Sequence, residues 1–143
     1  LEYQNKHTII LALTSNVGAF DFQTKNIAYN DKKLYEEVIR TSTSWKNSNQ
    51  LMYVVGATRA DLLTRIRKIV PNSFLLIPGV GAQGGSLEDV AEFGMNDTCG
   101  LLVNSSRGII FASSGEDFAD QAKVESEKIQ QKMEALLRSK NLI

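Results

Sequence analysis

The sequence is poor in the side chains that most metal, redox and nucleophilic chemistry requires. It has one cysteine, Cys99, and one histidine, His7. A lone cysteine excludes an internal disulfide and any Cys-based zinc cluster, and suits a reducing cytoplasm. His7 precedes the first apolar run, at the wrong end of a strand for catalysis, so it reads as a surface histidine, and no Ser–His–Asp set can be assembled. Charge of one sign is also missing. Sixteen Lys and Arg balance sixteen Asp and Glu, so no global field favours nucleic acid or an anionic membrane. Any bound anion must be held by local geometry. The longest apolar runs are too short to span a bilayer, and no secretory pattern opens the chain. With two prolines in 143 residues and no low-complexity tract, no linker divides it, and residues 1–143 read as one unit. The first residue is Leu1 rather than Met, which reads as a fragment or a processed chain.

What is present is an alternation. Apolar, β-branched-rich runs at 8–13, 51–55, 74–77 and 99–103 are each followed by a turn and a helical pattern, the helices falling near 31–44, 60–69, 87–93 and 116–139. The first run is continuous rather than alternating, as expected of a strand buried on both faces. Two helix starts carry a capping-box pattern, Thr58 with Asp61 and Ser86 with Asp89. The last helix spaces Phe118, Ala122, Ile129, Met133, Leu136 and Leu137 mostly three and four apart, which predicts an amphipathic outer helix packed on a sheet. Tyr35 and Trp45 read as packing residues, and Cys99 as a small core residue opening the fourth strand. Strand–helix alternation predicts a parallel α/β sheet with right-handed crossovers. Four such units are either half of an eightfold barrel, which needs roughly 250 residues when whole, or a small open sheet.

In both folds the useful positions follow the strands. The third strand leads into Pro78-Gly79-Val80-Gly81-Ala82-Gln83-Gly84-Gly85, whose glycines match G-x-G-x-x-G. A dinucleotide would need an acidic residue at the end of the next strand to bind the ribose; Asn104, Ser105 and Ser106 stand there instead, so that reading fails. A phosphate fits better. Glycines let backbone N–H groups approach an anion, a helix begins near Ser86, Gln83 offers an amide, and Arg107 in the next loop can clamp a phosphate. The competing explanation, a tight turn with Arg107 as an ordinary surface cation, stays open on spacing alone. Ser15, after the first strand, is a candidate for a ligand's polar edge or a simple turn residue. No metal-ligand cluster or Lys–carboxylate array appears at the strand ends, so the binding half of an enzyme is present without its chemical half.

Taken together, TSNVGAFDFQ (14–23), VVGAT (54–58), PGVGAQGG (78–85) and VNSSRGIIFA (103–112) closely resemble orotidine 5'-monophosphate decarboxylase, in the longer bacterial branch of that family. The resemblance covers nearly the whole chain in order. It implies a (β/α)8 TIM barrel, of which this chain supplies units five to eight as a (β/α)4 half. It also implies a carboxy-lyase that converts orotidine 5'-monophosphate to uridine 5'-monophosphate and CO2 without metal or organic cofactor, in cytoplasmic pyrimidine synthesis. On that basis Ser15 would meet the pyrimidine amide edge, and Val80 would pack near the base. The loop through Pro78, Gln83, Gly84 and Gly85 would close over the nucleotide, Gln83 bridging base and phosphate. Arg107 and the Gly108 amide would take the phosphate. The family's D-x-K-x-x-D array belongs to the first half of the barrel and has no counterpart here, so no catalytic residue is assigned and the chain alone is expected to be inactive. The intact enzyme is expected to be a homodimer, and a half-barrel is expected to self-associate through exposed strand edges. The alternatives are another phosphate-binding barrel decarboxylase or isomerase, which would need neither Ser15 nor a base-bridging Gln83, and a non-catalytic phospholigand-binding module.

Overall fold

A computed structural model describes residues 1–81 and 84–143. Four parallel strands, β1 (Thr8–Leu13), β2 (Leu51–Val55), β3 (Leu75–Pro78) and β4 (Leu101–Asn104), form one sheet in the order β1-β2-β3-β4. The crossovers carry α1 (Leu34–Thr43), α2 (Ala60–Ile69) and α3 (Leu87–Gly94). A short α4 (Ser106–Ile110) and the long α5 (Phe118–Ser139) follow β4. Sequential order with parallel polarity is that of a barrel segment, whose strands neighbour one another as they occur in the chain.

Strand alternation decides which side chains meet the helices. Leu51, Tyr53, Val55, Leu75, Ile77 and Leu101 point into the helical layer and are buried, packed with Tyr35 and Ile39 of α1, Leu63 and Ile66 of α2, and Val90 of α3. A register shift between Leu11 and Leu13 brings Leu13 level with Val55, so a β-bulge turns Leu13 onto this buried face. In the Tyr53–Ser42 pair the two hydroxyls lie 2.9 Å apart, which satisfies the polar tip of a fully buried tyrosine.

The opposite face is open. Leu11, Val54, Leu76 and Leu102 align across the sheet, with Ile9 and Met52 one step earlier. Leu11 is 60% exposed, Ile9 45% and Leu102 43%. The expectation of a first strand buried on both faces is therefore corrected: β1 is apolar on both faces but covered on one.

The other departures are local. The fourth strand begins at Leu101, not Cys99, because Cys99 and Gly100 both take left-handed backbone, φ 72° and 64°, in a tight turn where Asn96 and Cys99 exchange two backbone hydrogen bonds. Cys99 is half-buried at that turn. Phe74 falls outside β3, and α1 starts at Leu34 because residues 26–33 close a turn through an Asn26–Lys33 bridge. Tyr35 packs as expected, but Trp45 is half exposed. No residue of α5 is fully buried; Ile129, Met133 and Leu136 rest partly against the core, and Lys132 reaches Glu88 of α3 at 3.8 Å. Beneath the strands, at their N-terminal ends, the Arg67 guanidinium donates to the carbonyls of Gly94 and Ser73 (2.6 Å each) and Gly100 (2.7 Å). Burial lowers its pKa to about 10, so it remains charged at neutral pH.

Candidate functional site

Parallel strands place every following loop at one end of the sheet, and here small residues let those loops touch. Gly56, after β2, passes so close to Ser15, after β1, that a Cβ on it would lie 2.6 Å from the Ser15 Cβ. Thr58 donates its hydroxyl to the Ser15 carbonyl at 3.4 Å. Because residues 57–59 form a 3-10 turn before α2, that hydroxyl caps no helix, which corrects the capping-box expectation there. On the other side Gly85 lies against Ala57: a Cβ on Gly85 would sit 2.3 Å from the Ala57 Cβ and 2.8 Å from the Gly79 carbonyl oxygen. Ser105, buried after β4, donates its hydroxyl to the Val80 carbonyl at 3.0 Å. Ser15, Gly56, Ala57, Gly85, Val80 and Ser105 thus form a continuous line of contact across all four strand ends.

The glycine loop is shaped from within. Gly79, Gly81 and Gly84 take φ values of 92°, 77° and 83°, backbone that disfavours any side chain. The Gly81 amide donates to Gly85, Gly84 to Gly81, and Gly85 to Gly79. These N–H groups are therefore engaged inside the loop rather than turned to an anion, and the glycines act here by permitting the fold of the loop. The helix after it is also engaged. Ser86 caps α3, its Oγ accepting from the Asp89 N–H at 3.0 Å, as the sequence pattern predicts. A backbone N–H at the helix start, then Lys132 and the Ser86 hydroxyl, hold the Glu88 carboxyl below the usual carboxylate range. The positive end of α3 is met by its own Glu88 carboxylate.

The cation comes from the next loop. Pro78, Gly79, Val80, Asn104, Ser105, Ser106, Arg107 and Gly108 line a pocket of about 240 Å3. Arg107 is exposed, and its guanidinium has no carboxylate partner among the described residues. Gly108 lies in the first turn of α4, where helical N–H groups lack intrahelical acceptors. Of the expected site residues, Pro78, Val80, Arg107 and Gly108 share this pocket. Gly85 lines the neighbouring cleft with Val80 and Gly108, Gly84 lies at the loop's turn, and Ser15 stands at the far end of the line of contact, after β1. Gln83 lies outside the described residues. Among the described residues no group of His, Cys, Asp and Glu is placed to hold a metal ion, and no helix is long and apolar enough to cross a membrane.

Sequence reasoning missed three residues that build this end. Ser105 carried a visible signal, a hydroxyl directly after a strand. Gly56 stood in a quoted motif without a role. Gln23 gave no signal by spacing, yet its Oε1 accepts from the Thr14 N–H at 2.8 Å and the Thr14 hydroxyl at 3.2 Å, fixing the loop that carries Ser15. Nearby, Arg59 sits over the Phe20 ring, 5.2 Å from its centre.

No protein-family model matches the chain. Among curated proteins, orotidine 5'-phosphate decarboxylase of Flavobacterium johnsoniae is 61% identical over 140 residues, 98% of this chain and 50% of the relative. Orotidine 5'-phosphate decarboxylase of Porphyromonas gingivalis is 59% identical over 143 residues, all of this chain and 51% of the relative. Among solved structures, Leishmania donovani OMP decarboxylase matches with a TM-score of 0.71 at 33% identity, over 90% of this chain and 49% of that one. Leishmania donovani UMP synthase matches with a TM-score of 0.73 at 36% identity, over 90% and 28%. The chain spans about half the length of the curated relatives it matches.

Proposed function

We propose that this half-length relative of the orotidine 5'-phosphate decarboxylases is the C-terminal half of such an enzyme, units five to eight of its barrel, and that it supplies the substrate grip. The observation that carries the reading is a pocket formed by the loops after β3 and β4, whose one guanidinium, Arg107, has no carboxylate partner among the described residues, with the loops after β1 and β2 in contact beside it. The substrate would be orotidine 5'-monophosphate and the product uridine 5'-monophosphate. Arg107 and the Gly108 amide hold the 5'-phosphate, Val80 and Pro78 wall the nucleotide, and Ser15 meets the base edge. Gln83 joins base to phosphate, and Gly84 and Gly85 give the loop its shape.

Decarboxylation leaves a carbanion on the pyrimidine ring, so the rate depends on stabilising that charge. Interactions with the remote phosphate can be drawn on at the transition state, and a loop closing over the nucleotide keeps water from the developing charge. This chain holds the gripping part and no Asp–Lys array, so it is inactive by itself. A cytoplasmic setting fits its single cysteine, and the intact enzyme is expected to be a homodimer.

Ligand competition tests the reading. Uridine 5'-monophosphate should raise the chain's thermal midpoint more than uridine or ribose 5-phosphate does. Arg107→Ala should weaken its binding roughly ten- to hundredfold, the worth of a charged hydrogen-bonded pair. Equal binding of ribose 5-phosphate would favour a general phospholigand module instead.

A further inference from the structure

Between β1 and α1 the chain runs through residues 14–33 without a strand or an α-helix. Loops of that length are uncommon in compact domains and usually serve a site. This one opens with Thr14 and Ser15, and a side chain from its middle ties that opening down. Gln23, half-buried, turns its Oε1 onto the strand end, where the oxygen accepts from the Thr14 N–H at 2.8 Å and from the Thr14 hydroxyl at 3.2 Å. An amide oxygen has two lone pairs, so it can serve both donors at once. Gln23 is itself anchored. The first N–H groups of a helix have no acceptor within it, and two of those of α1 are taken by this loop: Tyr35 donates to the Gln23 carbonyl and Leu34 to the Lys25 carbonyl, each at 3.0 Å. Tyr35 is buried in the core, so the Gln23 backbone is held by the rigid part of the fold. From the other side the Gly56 N–H donates to the Leu13 carbonyl at 2.9 Å, and Thr58 donates to the Ser15 carbonyl. Ser15 is thus held between the loop after β2 and the Gln23 tie to α1.

We propose that Gln23 is a positioning residue for base recognition: by holding Thr14 it fixes where Ser15 stands, and it acts through Ser15 rather than on the nucleotide. The inference rests on the substrate reading above, in which Ser15 meets the base edge and Arg107 takes the phosphate. Hydrogen bonds weaken steeply with misalignment, so a loosened Thr14 costs Ser15 its bond to the base. Arg107 follows β4, at the opposite end of the line of strand-end contacts from Ser15. A change at Gln23 therefore reaches the base end of the site and leaves the phosphate end alone. A side chain that merely supported the core would weaken both ends together.

Calorimetric titration of the chain with uridine 5'-monophosphate and with ribose 5-phosphate, for wild type, Gln23→Met, Ser15→Ala and the double variant, is the test. Methionine keeps the length of glutamine and removes the acceptor. Gln23→Met should bind uridine 5'-monophosphate roughly tenfold more weakly and ribose 5-phosphate within about twofold of wild type. Added to Ser15→Ala, it should change the affinity for uridine 5'-monophosphate by less than about twofold, because both changes act on one contact. Hydrogen exchange without ligand gives a second measurement: in Gln23→Met the Thr14 amide should exchange faster, while the Gly56 amide, bonded to Leu13, exchanges as in wild type and reports an intact fold. Equal loss of both ligands, undiminished binding of uridine 5'-monophosphate, an effect that adds in full to that of Ser15→Ala, or an unaltered Thr14 amide would each overturn the inference. Failure of the substrate reading is seen separately, on the unaltered chain: if it binds uridine 5'-monophosphate no better than ribose 5-phosphate, there is no base recognition for Gln23 to serve, and both fall.

Discussion

Arg67 and Gly85 hold opposite ends of the fold by opposite means, one by reaching many partners and the other by having no side chain. Arg67 satisfies carbonyls from three segments below the sheet, and a buried carbonyl left without a donor costs about 1–3 kcal/mol. Arg67→Met should therefore lower unfolding free energy by roughly 2–4 kcal/mol, measured by urea titration, whereas a change below 0.5 kcal/mol would mean water replaces the guanidinium. Nothing in the sequence distinguished this arginine from its exposed neighbours Arg65 and Lys68; its role depends on carbonyls 27 and 33 residues away. At the other end Gly85→Ala puts a methyl 2.3 Å from Ala57 and 2.8 Å from a backbone oxygen, so the loop must move. The expected outcome is about 1–3 kcal/mol of destabilisation together with loss of uridine 5'-monophosphate binding; unchanged binding would detach the loop from the site. The importance of glycine here was legible, but its reason was not, since the contact with Ala57 crosses between loops.

Elements whose signal is local were legible, and those set by their neighbours were not. The four strands stood out as apolar runs, and β1 and β2 fall where those runs lie. The start of β4 escaped because a left-handed Cys99–Gly100 pair leaves no mark in hydrophobic periodicity. α4 escaped because a helix of five residues is too short to show a period of 3.6. Continuous hydrophobicity in β1 correctly marked two apolar faces, but it cannot say whether the cover for the second belongs to this chain. The strand-end loops depend on one another, and the Ser105 hydroxyl on the Val80 carbonyl is their clearest tie. Ser105→Ala removes that bond and should cost about 1 kcal/mol while speeding exchange of the glycine-loop amides and lowering nucleotide affinity. Stability loss without faster loop exchange would argue that the tie serves the core alone.

The whole molecule has balanced charge but an uneven response to acid. Glu88 is held low by a backbone N–H and Lys132, Asp117 by the Ser113 hydroxyl, and Glu134 by Arg138 and Gln130. Each binds a proton less readily folded than unfolded, so its stabilisation is present above the unfolded carboxylate range and disappears as pH falls through and below it. Glu88 and Asp117 are exposed and Glu134 is partly so, so the effect is modest and screened by salt. The thermal midpoint should fall as pH drops from 6 towards about 3, less steeply at high ionic strength, and a flat profile would contradict these assignments. The central claim, that this chain grips a nucleotide whose chemistry is performed by another half-barrel, is tested most directly by reconstitution. Mixing it with the complementary half of the Flavobacterium johnsoniae relative and following orotidine 5'-monophosphate by absorbance should give turnover from the mixture and none from either part. Arg107→Ala in this chain should lower kcat/KM roughly ten- to hundredfold. Turnover by this chain alone, or a mixture indifferent to the loss of Arg107, would contradict the account.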